Sequence, residues 1–220
     1  MNTPARVAAV AGTEFKIALR NRWVLLATVL LTLFSLALSF PGTGGGTLKA
    51  SALLMAAASI STLAVYLIPL IALLVSYDSF AGEVERGTMA LILATPVNRG
   101  ELLFGKFLGL CLVVFVAIAV GFMIPVAVTV GLYGFDVTGI EAWLRLLATA
   151  IFLGAVFVAA GMALSTAVPR TGTAAALAVG LWLVLVVLYD LALLAGLVVD
   201  EGGFFTKVRF PYFVVLNPGD

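Results

Sequence analysis

A chain of 220 residues that is 63% hydrophobic and only 10% charged, with a mean hydropathy of +1.22, cannot keep a water-facing surface, because soluble domains carry about 25% charged residues. Lipid is therefore its main solvent. A net charge of +1 argues against a nucleic-acid surface, one cysteine (Cys111, inside an apolar run) excludes an intrachain disulfide, and the lack of histidine removes the usual general base and the commonest zinc or copper ligand.

The N-terminal arm, Ala5 to Arg22, is helix-compatible, with Val7, Ala11, Phe15, Ala18 and Leu19 on one side and Lys16 and Arg20 elsewhere. It reads as an amphipathic helix in the membrane interface with its basic residues near anionic headgroups, or as an ordinary basic topology anchor; the two are compatible. Spanning the hydrocarbon takes roughly 20 apolar residues. Five segments meet or approach that length: Trp23–Phe40, Leu53–Val75, Phe107–Val130, Leu146–Val168 and Thr173–Val199. The first is retained rather than cleaved, because the 22 residues before it are long for a signal n-region and include Glu14. Pro69 and Pro125 fall inside spans two and three and are expected to kink them. Pro41 to Gly46 is a loop by composition, and Pro169-Arg170-Thr171-Gly172 a tight turn between spans four and five. The expectation is an all-α integral membrane protein.

Lysine and arginine set the orientation. Arg6, Lys16, Arg20, Arg22, Arg86, Arg99, Lys106 and Arg170 lie on one side and Lys49, Arg145, Lys207 and Arg209 on the other, eight against four. The N-terminus and the loop after span two are therefore expected in the cytoplasm. With five spans the C-terminus is outside; otherwise the chain stops short of a sixth.

Between spans two and three lies a polar island, Tyr77 to Gly109, holding nearly a third of the charged residues: Asp78, Glu83, Glu85, Arg86, Arg99, Glu101 and Lys106. Ser79 to Arg86 is expected to continue the helix leaving span two, with Gly87 ending it. Thr88 is expected to cap a second short helix, Met89 to Ala94, before Thr95-Pro96 breaks it. Met89, Ile92 and Leu93 share a face at helical spacing. That face suits a groove on a soluble partner, or equally the lipid surface. Gly100 to Lys106 matches seven positions of a phosphate-binding loop, but Phe107 stands where Ser or Thr must hold magnesium and no strand precedes it, so the chain is not expected to bind ATP; Lys106 reads as an anchor for span three.

Asp190, in span five, is the one ionisable side chain well inside a span; it points to a transport role, or it reaches outer-leaflet water. Glu141 and Arg145, four apart, are expected to pair at a span boundary. Small residues recur at four-residue spacing in Gly105 and Gly109, Gly161 and Ser165, and Gly172, Ala176 and Gly180, for packing within one bundle or for a dimer seam. Met55, Met123, Met162 and Cys111 are dispersed, so no metal site is expected.

The island resembles the cytoplasmic coupling region of type-2 ABC transporter permeases, through Gly82-Glu83, Glu85, Gly87-Thr88, Leu91, Pro96, Arg99 and Gly105-Lys106. More narrowly, the chain resembles the permease subunits that serve nitrous-oxide reductase maturation, in LRNRW at 19–23, LIPLIALLVSYD at 67–78, GTMALILATPVNRGELLFGKFLG at 87–109, YDLALLAGLVV at 189–199 and FVVLNPGD at 213–220. The resemblance implies a single permease domain over 1–220 with a coupling region at 77–101, and a sixth span after the LNP segment. It also implies a second copy of the chain, a cytoplasmic ABC ATPase dimer that binds the ATP and magnesium, and a periplasmic accessory protein. The setting is a prokaryotic inner membrane, and the assembly supports a copper-sulfur centre. No catalytic residue, cofactor or nucleic acid is implied for this chain. Asp78, Glu83, Glu85, Arg86, Gly87, Thr88, Met89, Ile92, Pro96 and Arg99 are the implied docking and coupling residues. The cargo implied is a small sulfur- or copper-related species, and the absence of clustered soft ligands weighs against bare copper ions. The competing readings are an export permease for a drug, lipid or polysaccharide, and a membrane scaffold that relays ATPase motion without transport.

Overall fold

A computed structural model describes residues 3–40, 52–94, 97–134 and 137–199, and all regular structure among them is helical. The elements are α1 (Thr3–Leu19), α2 (Arg22–Ser39), α3 (Ala52–Ser76), α4 (Ala81–Glu85), α5 (Met89–Leu93), α6 (Arg99–Tyr133), α7 (Val137–Ala167), α8 (Thr171–Trp182), a π-helical stretch (Leu183–Leu188) and α9 (Tyr189–Val199). Among the described residues, five helical runs are long and apolar enough to cross a membrane, as expected. The loop at 41–46, Thr95-Pro96 and the tail from residue 200 lie outside the described residues.

The boundaries have local causes. Asn21 precedes α2, and its side chain accepts the Trp23 N–H at 3.0 Å. At the start of α6 the Asn98 N–H donates to Glu101 Oε2 at 3.0 Å, one half of a capping box. Gly87 (φ +71°) ends the α4 segment and Gly134 (φ +91°) ends α6, both in the left-handed region that glycine occupies without strain. Helices α3 and α6 run unbroken through Pro69 and Pro125.

The chain divides into two compact units, Met1–Val179 and Gly180–Asp220. In the first, α3 is central and packs on α2, α6 and α7. Its inward row, Ala56, Ile60, Ala64, Ile68 and Ala72, recurs every four residues, a ridge that seats into neighbouring helix grooves. Gly154 of α7 lies where three helices meet: a Cβ there would approach Val114 of α6 to 2.8 Å and Ile68 of α3 to 3.5 Å. At one end of the bundle, Trp143 Nε1 donates to the Leu53 carbonyl at 3.2 Å and the indole meets Phe122 edge-on. Helix α6 has 35 residues, so at 1.5 Å per residue it is about 50 Å long, well beyond a hydrocarbon core of about 30 Å. Its charged residues, Arg99, Glu101 and Lys106, are all in its first turns, the end suited to extend past that core. Glu141 and Arg145 form the expected ion pair on α7.

In the second unit, the fifth apolar run passes through the π-helical stretch, whose looser turn places Asp190 in the first turn of α9. The Asp190 side chain is exposed on this chain.

Candidate functional site

The polar island folds into a junction of short helices beside the ends of four long ones. Helix α3 does not continue to Arg86 as the sequence pattern suggested. It stops at Ser76, turns through Tyr77–Phe80, and restarts as α4. The cause is Ser165 on α7, whose buried Oγ accepts both the Phe80 N–H (3.0 Å) and the Ala81 N–H (2.9 Å). Those are donors a helix start leaves without internal partners. Gly161, one turn earlier on α7, lets the strands of backbone close up: a Cβ there would sit 2.0 Å from Ser76 Oγ.

Two carboxylates of α4 are bonded to neighbouring helices, Glu83 in a largely buried site and Glu85 at the surface. Glu83 Oε1 lies 2.6 Å from Lys106 Nζ of α6, and the same ammonium pairs with Glu14 of α1. Lys106 is 1% exposed and sits 5.4 Å from the centroid of the Phe80 ring. Glu83 Oε2 is buried without a hydrogen-bond donor. Glu85 Oε2 accepts the Thr171 N–H at 2.9 Å and the Thr171 hydroxyl, so it caps the first turn of α8. Asp78 and Arg86 form an exposed pair at 3.4 Å.

The remaining predicted residues divide by direction. Thr88 occupies the position before α5 but does not cap it; its hydroxyl turns back and donates to the Glu83 carbonyl at 3.2 Å. Met89 packs on the core, and Ile92 is half-buried. The outward apolar residues are instead Leu91, 74% exposed, and Val84. Arg99 is exposed at the first position of α6. Pro96 and the Leu93 side chain lie outside the described residues. An open groove of about 280 Å³ is lined by Phe80, Val84 and Met89 and by Ser165 to Ala167 of α7 with the following Val168 and Pro169. Among the described residues no cluster of side chains suits a metal ion.

Residues 8–218 match the family model described as ABC-2 family transporter protein. The chain belongs to the ABC-2 transporter family. It is 37% identical over 224 residues to the "Probable ABC transporter permease protein NosY" of Pseudomonas aeruginosa (strain PAO1), an alignment covering 96% of this chain and 78% of that relative. It is also 37% identical over 215 residues to the protein of the same description from Stutzerimonas stutzeri, covering 96% and 77% respectively. It is thus a multi-pass membrane permease of an ABC transporter, which implies an ABC ATPase as a partner chain.

For an ABC-2 permease, the junction adds residues that sequence reasoning missed. Lys106 read as an anchor at the membrane edge, yet it is sealed between three elements. Glu14 carried one signal, being the only acidic residue in a basic amphipathic arm. The Gly105–Gly109 row resolves as packing within the chain, since α1 lies on it: a Cβ on Gly109 would come 2.7 Å from the Ala11 carbonyl oxygen. The Gly161–Ser165 row likewise serves internal packing and the α4 cap. Arg6 of α1 and Glu101 of α6 add a further pair at 3.6 Å. Leu19, placed on the apolar side of the arm by its spacing, is exposed.

Proposed function

We propose that this chain is the membrane subunit through which a cytoplasmic ABC ATPase dimer drives movement of a small sulfur- or copper-related species for nitrous-oxide reductase maturation. The observation that carries the reading is the two-sided build of the α4–α5 junction. Buried contacts bond it to α6 and α7 through Lys106 and Ser165, and an exposed one bonds it to the start of α8 through Thr171. Its outer side presents Leu91, Val84 and Arg86. An exposed leucine on a short helix outside the apolar spans fits a groove on a soluble partner. Closure of the ATPase dimer on ATP would push this surface. Spans two and three, α3 and α6, would tilt with it and open the interface between two copies of the chain outward. The row Gly172, Ala176 and Gly180 is our choice for that interface, because a Cβ at Gly172 or Gly180 meets nothing within 4 Å. The maturation role rests on the segments of resemblance above and on the two relatives described as permeases.

The test is recovery of partners. Affinity-tagged chain drawn from native membranes is expected to bring an ABC ATPase with it, and Leu91→Asp to lower that recovery by about tenfold, the loss of a buried apolar anchor. Undiminished recovery with Leu91→Asp would remove α5 from the docking surface. Cells lacking the chain are expected to make nitrous-oxide reductase without its copper-sulfur absorbance; a normal spectrum would sink the maturation role and leave the ABC-2 assignment standing.

A further inference from the structure

Docking of an ATPase on α4 and α5 does not require a buried lysine. A lysine near a membrane edge ordinarily extends its charge toward water along a flexible stem. Lys106 does the reverse: it is 1% exposed, and its ammonium lies between Glu14 of α1 and Glu83 of α4. The two carboxylates come from elements 92 and 23 residues away along the chain. Burying three charged groups together is costly unless the geometry is held, and removing one partner strands the others.

The backbone around Lys106 is fixed as well. Gly105 and Gly109 flank it, and α1 lies directly on both: a Cβ at Gly105 would come 2.7 Å from Val10 Cβ, and one at Gly109 2.7 Å from the Ala11 carbonyl oxygen. Arg6 and Glu101 extend the same seam by a further turn. A helix resting only on headgroups has no use for such a seam. On the other side, Glu83 has a single hold: Oε1 is on Lys106, and Oε2 is buried without a donor. The lysine therefore links α4 to the α1–α6 pair.

We propose that Lys106 is a positioning residue for ATP-driven coupling, locking α1, α4 and the first turns of α6 into one lever, so that the N-terminal helix moves with the docking helices rather than staying as a fixed membrane anchor. The inference rests on the reading that an ABC ATPase docks on α4 and α5. It assigns α1 a working part in the cycle.

The experiment uses the full permease–ATPase complex in nanodiscs with Cys111 replaced by serine. Nitroxide labels are placed at Thr13→Cys on α1 and Ala94→Cys at the end of α5, both exposed positions. In the otherwise unaltered complex, the distance between labels is expected to be the same without nucleotide and with ADP-vanadate trapped. With Lys106→Met, which keeps the stem and removes the charge, the distance is expected to differ between the two states, and ATP hydrolysis by the retained ATPase to change by about tenfold. Glu14→Gln serves if Lys106→Met does not assemble, and is expected to broaden the distance distribution. A distance that changes with nucleotide in the unaltered complex overturns the lever. An unaltered distance response in both variants removes Lys106 from it. Failure of the ATPase to co-purify with the unaltered permease is a different result, and it overturns the docking reading itself.

Discussion

Ser165 and Arg86 show how little a hydrogen-bond count says without burial. Arg86 and Asp78 pair at 3.4 Å with both side chains substantially in solvent, and exposed pairs of that kind are worth roughly 0–1 kcal/mol. Ser165 Oγ is 1% exposed and accepts two backbone N–H groups that have no other route to a partner at the start of α4. Ser165→Ala is expected to destabilise the permease by about 1–3 kcal/mol, the cost of orphaning buried donors, whereas Arg86→Ala is expected to change stability by less than about 1 kcal/mol. Thermal unfolding of the detergent-solubilised protein separates them, and equal midpoints for the two variants would show that α4 does not depend on α7 for its start. Glu83 is engaged by the buried lysine, so a charge reversal there would break that pair as well as alter any docking surface.

At the scale of elements, the long spans were legible because each is an apolar run near membrane length, and membrane-spanning backbone has few alternatives to helix. Gly87 marked the end of α4 for an equally local reason. What the sequence could not disclose is long-range. The end of α3 at Ser76 depends on a serine 89 residues later on α7, and the burial of Lys106 depends on Glu14, 92 residues earlier. The inward turn of Met89 also depends on the neighbouring helix ends, so the outward residue of α5 became Leu91 rather than the Met89–Ile92 face. The place of α1 follows from the same contacts. Since the Ala11 carbonyl occupies the space a side chain at Gly109 would need, Gly109→Val is expected to lift α1 from α6. Trypsin should then cut at Lys16 and Arg20 about tenfold faster in nanodiscs, because cleavage tracks the population of the detached helix. An unchanged cutting rate would mean that the glycine seam does not hold α1.

For the whole molecule, the side of the membrane on which the α4–α5 junction stands decides whether an intracellular ATPase can reach it. We propose, from the excess of lysine and arginine on the arm, the island and the α7–α8 turn, that this side is the cytoplasmic one. Helix α6 runs about 50 Å away from the junction, so on that proposal the start of α7 is expected to face the other compartment. Two exposed positions report on this, Thr88 beside α5 and Val137 at the start of α7. With Cys111 replaced by serine, Val137→Cys is expected to react with a membrane-impermeant maleimide in intact cells and Thr88→Cys to be shielded. In inside-out vesicles the two should exchange, Thr88→Cys reacting and Val137→Cys not. If Thr88→Cys were labelled in intact cells, the junction would face away from cellular ATP. The buried lysine would then have to serve some purpose other than relaying the work of an ATPase.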